Sequence, residues 1–283
     1  MKNLHHLYIN PLEKCNLRCK ICYTRKTSQI LTEKEILDFM DQYKKVQEVQ
    51  TITFCGGEVF TLSYFTHLVN VLTADGIFVQ IITNASINRL LELDRPNFVN
   101  LIVSIDGLKS YHDANRGKGS FDSCIQFLKD AKLHGFHKEI FSIVTKQNLR
   151  EIPEFEKYLH AHFTDIPITY HPRKPVGYLS NHPISNIVGH IEGFDYLSNE
   201  ELIHLMKTKQ TFPPKDLGCH QISLASDGII YGCCESYNPI GTLKTPMNQL
   251  VNEFNKRIDS TCNGCIQPSF MCGIKEIIAT IHS

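Results

Sequence analysis

The chain has no net charge: 29 Lys and Arg balance 29 Asp and Glu over its 283 residues. Without a basic excess, nothing argues for nucleic acid or an anionic membrane surface as partner. No apolar run approaches the roughly eighteen residues of a bilayer-spanning helix. The opening Met1-Lys2-Asn3-Leu4-His5-His6 is too polar for the apolar region of a signal peptide. There is no internal repeat and no low-complexity tract, which sets aside solenoids and compositional disorder. These absences leave a cytoplasmic protein with reduced thiols. In that setting metal binding explains 11 cysteines better than disulfides do.

What is there is a regular alternation. Leu4 to Ile9 reads as a first strand, and further strands are expected over Thr51–Phe54, Ile77–Thr83, Leu101–Ile105, Glu139–Val144 and Ile166–Tyr170. Thr32-Glu33-Lys34-Glu35 has the form of a capping box, and Ile36, Leu37, Met40 and Tyr43 then recur at helical spacing. Helices are also expected over Ser63–Ala74, Ile87–Leu93, Phe121–His134 and Ile152–His162. Strand and helix alternating over about thirty residues per unit imply a parallel sheet in an α/β fold. Six such units suggest a partial (β/α)6 barrel over residues 1–171, with chemistry at the carboxyl ends of the strands. Residues 172–218 break the pattern and read as a linker that partly covers the barrel mouth, with one helix, Asn199–Lys209. Residues 219–283 form a small cysteine-rich extension, opening with a hairpin that turns at Ser226-Asp227-Gly228 and carrying a helix over Met247–Lys256.

The sharpest motif is Cys15-Asn16-Leu17-Arg18-Cys19-Lys20-Ile21-Cys22-Tyr23, just after the first strand. Three thiolates on one loop can hold three corners of a four-iron cubane, leaving one iron open for chemistry. A zinc site wants four ligands, and this loop offers three. This C-x3-C-x2-C spacing resembles the signature of the radical SAM superfamily, whose fold is the partial barrel. The resemblance implies a [4Fe-4S] cluster with an open iron on Cys15, Cys19 and Cys22, and S-adenosyl-L-methionine (SAM) bound to it. In the family an aromatic residue usually precedes the third cysteine. Here Ile21 stands there and Tyr23 follows, as the candidate adenine contact.

Gly56-Gly57-Glu58, at the end of the second strand, resembles the family element that holds the methionine amino group of SAM. Thr83-Asn84 and Ser104-Ile105-Asp106 end the third and fourth strands, where related sequences touch the SAM ribose and carboxylate; strand-end capping is the plainer reading. Arg116 resembles a family arginine that pairs with the SAM carboxylate, which a planar guanidinium suits. Cys55 reads as a core thiol.

The later cysteines resemble a twitch or SPASM extension, which holds auxiliary iron–sulfur clusters. One auxiliary [4Fe-4S] cluster on Cys219, Cys233, Cys262 and Cys265 is the economical expectation, with Cys272 as a replacement or loose fifth ligand. Zinc in the same four cysteines is the alternative. Cys234 stands beside a ligand. Radical SAM peptide epimerases use a cysteine so placed to give a hydrogen atom to a substrate radical, while a buried small hydrophobe is the plain reading.

The resemblance implies reductive cleavage of SAM to a 5′-deoxyadenosyl radical that takes hydrogen from a substrate. A ribosomally made peptide, epimerised or crosslinked, is the first expectation. A small-molecule dehydrogenase acting on a sugar or antibiotic precursor is the second, and a non-catalytic iron–sulfur or zinc regulator the third. The implied partners are an electron donor such as flavodoxin or ferredoxin and, because the chain begins almost at its first strand, a separate leader-peptide-binding protein.

Overall fold

The computed structural model describes residues 4–22, 24, 27–173, 191–209, 211, 221–234 and 239–263, with side chains up to residue 256. Six parallel strands lie side by side in chain order: β1 (His6–Leu12), β2 (Thr51–Gly56), β3 (Phe78–Thr83), β4 (Val99–Ser104), β5 (His137–Val144) and β6 (Ile168–Pro172). Their connections carry α1 (Glu33–Lys44), α2 (Phe65–Ala74), α3 (Lys109–Arg116), α4 (Ser120–Leu133), the short α5 (Lys146–Leu149) and α6 (Ile152–His162). Then come α7 (Asn199–Thr208), β7 (Ile222–Leu224), β8 (Ile229–Tyr231), β9 (Pro239–Thr242) and α8 (Met247–Asn263). This is the expected parallel α/β architecture. The sheet is open, with β6 and β9 at its edges.

Local sequence explains the main elements. Thr32 caps α1: its Oγ1 accepts from Glu35 N (3.2 Å), and Glu35 Oε2 accepts from Thr32 N (2.7 Å). Along β2, Ile52 and Phe54 turn toward the helices, where Phe54, Phe60 and Phe65 pack edge to face. Thr53 turns the other way, into a polar belt across the sheet. His6 Nε2 meets Thr53 Oγ1 (2.7 Å), Thr53 Oγ1 donates to Gln80 Oε1 (2.7 Å), and Asn100 Nδ2 donates to Glu139 Oε1 (2.7 Å). Burial pulls the His6 imidazole down to about 3, so it sits there neutral.

Three local expectations are corrected. The helix expected over Ile87–Leu93 is only one 3-10 turn, Leu90–Glu92, with a second, Pro96–Phe98, just beyond it. Arg89 stakes this segment to the start of α2 through Leu62 O (2.8 Å), Thr66 Oγ1 (2.9 Å) and Glu92, and Pro96 lacks the amide an α-helix would use. Conversely, α3 forms where no helix was expected. Cys55 is half-buried rather than in the core, because strand alternation turns it away from Phe54's side.

The extension joins the same sheet. β7 runs parallel to β1, pairing Leu7 with Ile222 and Ile9 with Leu224. β8 returns antiparallel, with Tyr231 opposite Ser223, and β9 pairs with β8. The chain therefore leaves β8 toward the amino-terminal ends of the core strands. Cys233 and Cys234 lie at the end of the sheet opposite the Cys15–Cys22 loop, not at the carboxyl-end mouth that the hydrogen-donor reading of Cys234 calls for. Both are half-buried. Gly232 beside them lies against Phe254, which packs α8 onto the hairpin. Cys262 falls in the last turn of α8, with its side chain outside the described residues. Tyr23, Cys219, Cys265 and Cys272 also lie outside them.

Candidate metal and cofactor site

Past Leu12 the chain crosses the end of β2 before it reaches Cys15. Gly57 N donates to Leu12 O (2.9 Å) and Glu58 N to Lys14 O (3.3 Å). A methyl at Gly57 would overlap the Lys14 carbonyl. One at Gly56, which already holds φ +132°, would overlap the Leu12 carbonyl and the Asn10 side chain. The two glycines are thus required by the chain's own crossing, apart from any ligand.

The cysteine loop is then gripped from two sides. On one side Asn115, in the last turn of α3, accepts Lys20 N on its carbonyl (3.1 Å) and Ile21 N on its Oδ1 (3.3 Å). On the other, Asn84 Nδ2 donates to Cys15 Sγ (3.4 Å) and Asn16 Oδ1 (3.2 Å), and Asn16 Nδ2 reaches Ser86 Oγ (2.8 Å). Inside the loop Leu17 N donates to Cys15 Sγ (3.4 Å), and Arg18 Nη1 donates to Cys15 O (2.6 Å).

Cys15 is buried, and Cys19 and Cys22 are half-buried. Burial pushes the Cys19 thiol up to about 11 against the pull of Arg116; negative charge on Cys22, Asp106 and Cys15 pushes the same way. The three sulfurs are close enough to sense one another, and Cys19 keeps its proton until a metal displaces it. Among the described residues no three His, Cys, Asp or Glu side chains converge on a single metal ion. A cubane does not ask for that, since each thiolate binds a different iron. The donor set fits such a cluster.

Glu58 is fully buried. Its Oε1 accepts from Phe60 N (3.2 Å) and Thr83 Oγ1 (2.9 Å), and its Oε2 accepts from Asn84 N (2.8 Å). Burial raises this carboxyl to about 7, although Asn84, Phe60, Thr83 and Arg116 all oppose the rise. Glu58 thereby clamps the end of β2 to the end of β3. Asp106 receives four donors: Arg116 Nε (2.6 Å) and Nη2 (3.0 Å), Asn115 Nδ2 (2.8 Å) and Ile143 N (3.2 Å). Burial works to raise the Asp106 carboxyl, but the Arg116 charge and these hydrogen bonds win and hold it below its ordinary value. Arg116 in turn is held protonated by Asp106.

The structure therefore brings Cys15, Cys19, Cys22, Gly56, Gly57, Glu58, Thr83, Asn84, Asp106 and Arg116 to one end of the sheet. Ser104, half-buried, ends β4 beside them. Asn115, Asn16 and Ser86 were not anticipated from sequence. Asn115 stands directly before Arg116, and only its place in the last turn of α3 shows its use.

A family model described as the Radical SAM superfamily matches residues 9–159. Mycofactocin maturase MftC of Mycolicibacterium smegmatis is 31% identical over 149 residues, which is 50% of this chain and 38% of that protein. The chain thus spans well under half the length of that curated relative. Among solved structures, native anSMEcpe with bound AdoMet and Cp18Cys peptide superposes with a TM-score of 0.70 at 17% identity, covering 92% of this chain and 86% of the other. Streptococcus suis SuiB bound to S-adenosylmethionine gives 0.68 at 15% identity, covering 93% and 71%. These two likenesses concern the fold.

Proposed function

Because the chain belongs to the radical SAM superfamily, we propose that it holds a [4Fe-4S] cluster on Cys15, Cys19 and Cys22 and uses it to cleave SAM and remove hydrogen from a ribosomally made peptide. The bound cluster and SAM supply the electron transfer and the 5′-deoxyadenosyl radical; the protein binds, orients and shields. The observation that carries this is the double grip of Asn84 and Asn115 on the cysteine loop at the carboxyl ends of the strands. Glu58's carboxylate is taken up by its own clamp, so the Gly56-Gly57-Glu58 element would meet an ammonium group with backbone carbonyls. Arg116 spends Nε and Nη2 on Asp106 and would offer Nη1 to the SAM carboxylate. Thr83, Ser104 and Tyr23 complete the proposed cofactor contacts.

A peptide substrate is supported by the maturase relative and by the peptide bound to anSMEcpe. We further propose one auxiliary [4Fe-4S] cluster drawn from Cys219, Cys233, Cys262, Cys265 and Cys272, with residues 172–218 or a separate partner delivering the peptide and a flavodoxin or ferredoxin supplying electrons. Epimerisation is the outcome that suits Cys234. Inverting a carbon needs a second hydrogen donor, which a thiol can be; for Cys234 to serve, one substrate carbon would have to be met both by the radical and by this thiol, which sits at the other end of the sheet from the cysteine loop.

The test is anaerobic reconstitution of the full chain with iron and sulfide, then reduction with SAM present. About eight irons per chain and accumulation of 5′-deoxyadenosine are expected. Zinc in place of iron on the N-terminal triad, or no 5′-deoxyadenosine, would sink the reading. Mass spectrometry with candidate peptides tests the substrate, and turnover of small molecules alone would replace the peptide proposal.

A further inference from the structure

We propose that Asn84 is a positioning residue that donates a hydrogen bond to the Cys15 sulfur and thereby sets the reduction potential of the cluster; this rests on the cluster proposed above. The amide of Asn84 has one orientation open to it. Its Oδ1 accepts from Ser86 N (2.9 Å) and from Ser86 Oγ (2.5 Å). A backbone N–H can only donate, so rotating the amide would set its NH2 against another donor. Nδ2 must therefore face Cys15 Sγ (3.4 Å) and Asn16 Oδ1 (3.2 Å).

The backbone is fixed as firmly as the side chain. Asn84 N donates to Glu58 Oε2 (2.8 Å), and Ala85 next to it holds a left-handed φ of +57° closed by its N–H to Thr83 Oγ1 (2.9 Å). Asn84 is 7% exposed, so water competes weakly for Nδ2. Glu58, Thr83 and Ser86 thus aim one N–H at one sulfur.

A thiolate that ligates iron carries more negative charge when the cluster is reduced. A donor aimed at it stabilises the reduced form more than the oxidised one, and hydrogen bonds to sulfur are among the terms that set such potentials. Leu17 N also donates to Cys15 Sγ and survives any change at position 84, so the effect is a part of the whole, not all of it.

The experiment compares the anaerobically reconstituted full chain with Asn84→Ala and Asn84→Asp. Iron and sulfide are counted, and the reduced clusters are titrated against potential by electron paramagnetic resonance. The signal of the N-terminal cluster is assigned by its change on adding SAM. The grip of Asn115 remains in both variants, which are expected to load iron, though to release it sooner than the parent. In Asn84→Ala the reduction equilibrium of the SAM-responsive cluster should fall about tenfold, ~59 mV for one electron. Asn84→Asp keeps an acceptor for Ser86 but turns a carboxylate oxygen to the sulfur, and should fall at least as far. If Asn84→Ala loses its iron, the Asp variant decides. An unchanged potential in a loaded variant overturns the proposal, as does loss of iron by both variants in a folded chain, which would make Asn84 a prop for the loop alone. A parent protein with no SAM-responsive cluster fails at the first step and removes the cluster reading itself.

Discussion

Removing Asp106 should destabilise as well as disarm the protein. Asp106→Ala strands Arg116, whose side chain is 12% exposed, without its carboxylate, while Arg116→Ala strands an aspartate that is 0% exposed. Taking one partner from a buried ion pair costs about 3–5 kcal/mol, because a charge is left unpaired in a poor solvent for it. That is a large part of the roughly 5–15 kcal/mol that holds a typical domain together. Each single variant should lose about that much in urea unfolding. The double variant should cost much less than the sum, since neither charge remains. Asp106 is also held below its ordinary 3.8. Its contribution is therefore complete above that value and is lost as pH falls through the lower folded value, so parent and Asp106→Ala should converge in strong acid. Additive single costs, or a single cost under about 1 kcal/mol, would refute the reasoning and reduce the fork to a surface-like pair.

Glu58 should give the opposite pH response. Burial lifts its folded value to about 7 from 4.5, so stability falls as pH rises between those values, by roughly 3 kcal/mol in all, and then levels. The fall should be absent from Glu58→Gln and so remain in the parent-minus-variant difference curve; parallel curves would refute the assignment. Gly57→Ala should cost the N-terminal iron by displacing the Lys14 carbonyl, whereas Gly76→Ala, at φ +81° in open space, should cost about 1–2 kcal/mol of strain and no iron. Equal iron in both would refute the crossing argument. Cys234→Ala should keep its iron and still cleave SAM but lose the inverted product, and parent product made in heavy water should carry one deuterium at the inverted carbon, from the exchangeable thiol. Unchanged product would end the hydrogen-donor assignment.

Signals that act within a few residues were readable from the chain. The Thr32–Glu35 capping box forms as spelled. All six core strands fall within a few residues of their expected places, because alternation and apolar runs are local properties. The cysteine spacing was readable for the same reason. What escaped depends on partners far away in sequence. Gly56 and Gly57 suggested room for a ligand, and the occupant is the chain's own Leu12–Lys14 segment. Asp106 and Arg116 were each expected to face SAM, and the fold turns them on each other. α3 was missed because its polar run Lys109–Arg116 lacks an apolar stripe; it buries Tyr111, His112 and Asn115 instead. Nothing local announces that β7 lies beside β1, so the far-end position of Cys233 and Cys234 could not be foreseen.

The cysteine loop has little packing of its own, and its place is set by polar groups whose positions depend in turn on buried carboxylates. Asn115 grips the loop and leans on Asp106; Asn84 grips it from the other side and leans on Glu58. The two carboxylates sit in one dry region yet carry opposite perturbations, Asp106 held ionised by a guanidinium and Glu58 lifted by burial, which its hydrogen bonds and the charge of Arg116 only partly offset. Acid should therefore loosen the Asn115 side first, while the Glu58 clamp is under most strain near and above neutrality, once its carboxyl must ionise. Cluster retention should be best between those limits, where Asp106 is charged and Glu58 still keeps its proton. An iron-release profile that rose steadily from acid to alkaline pH, with no minimum in the mildly acidic range, would show that the loop is held by something other than these two carboxylates.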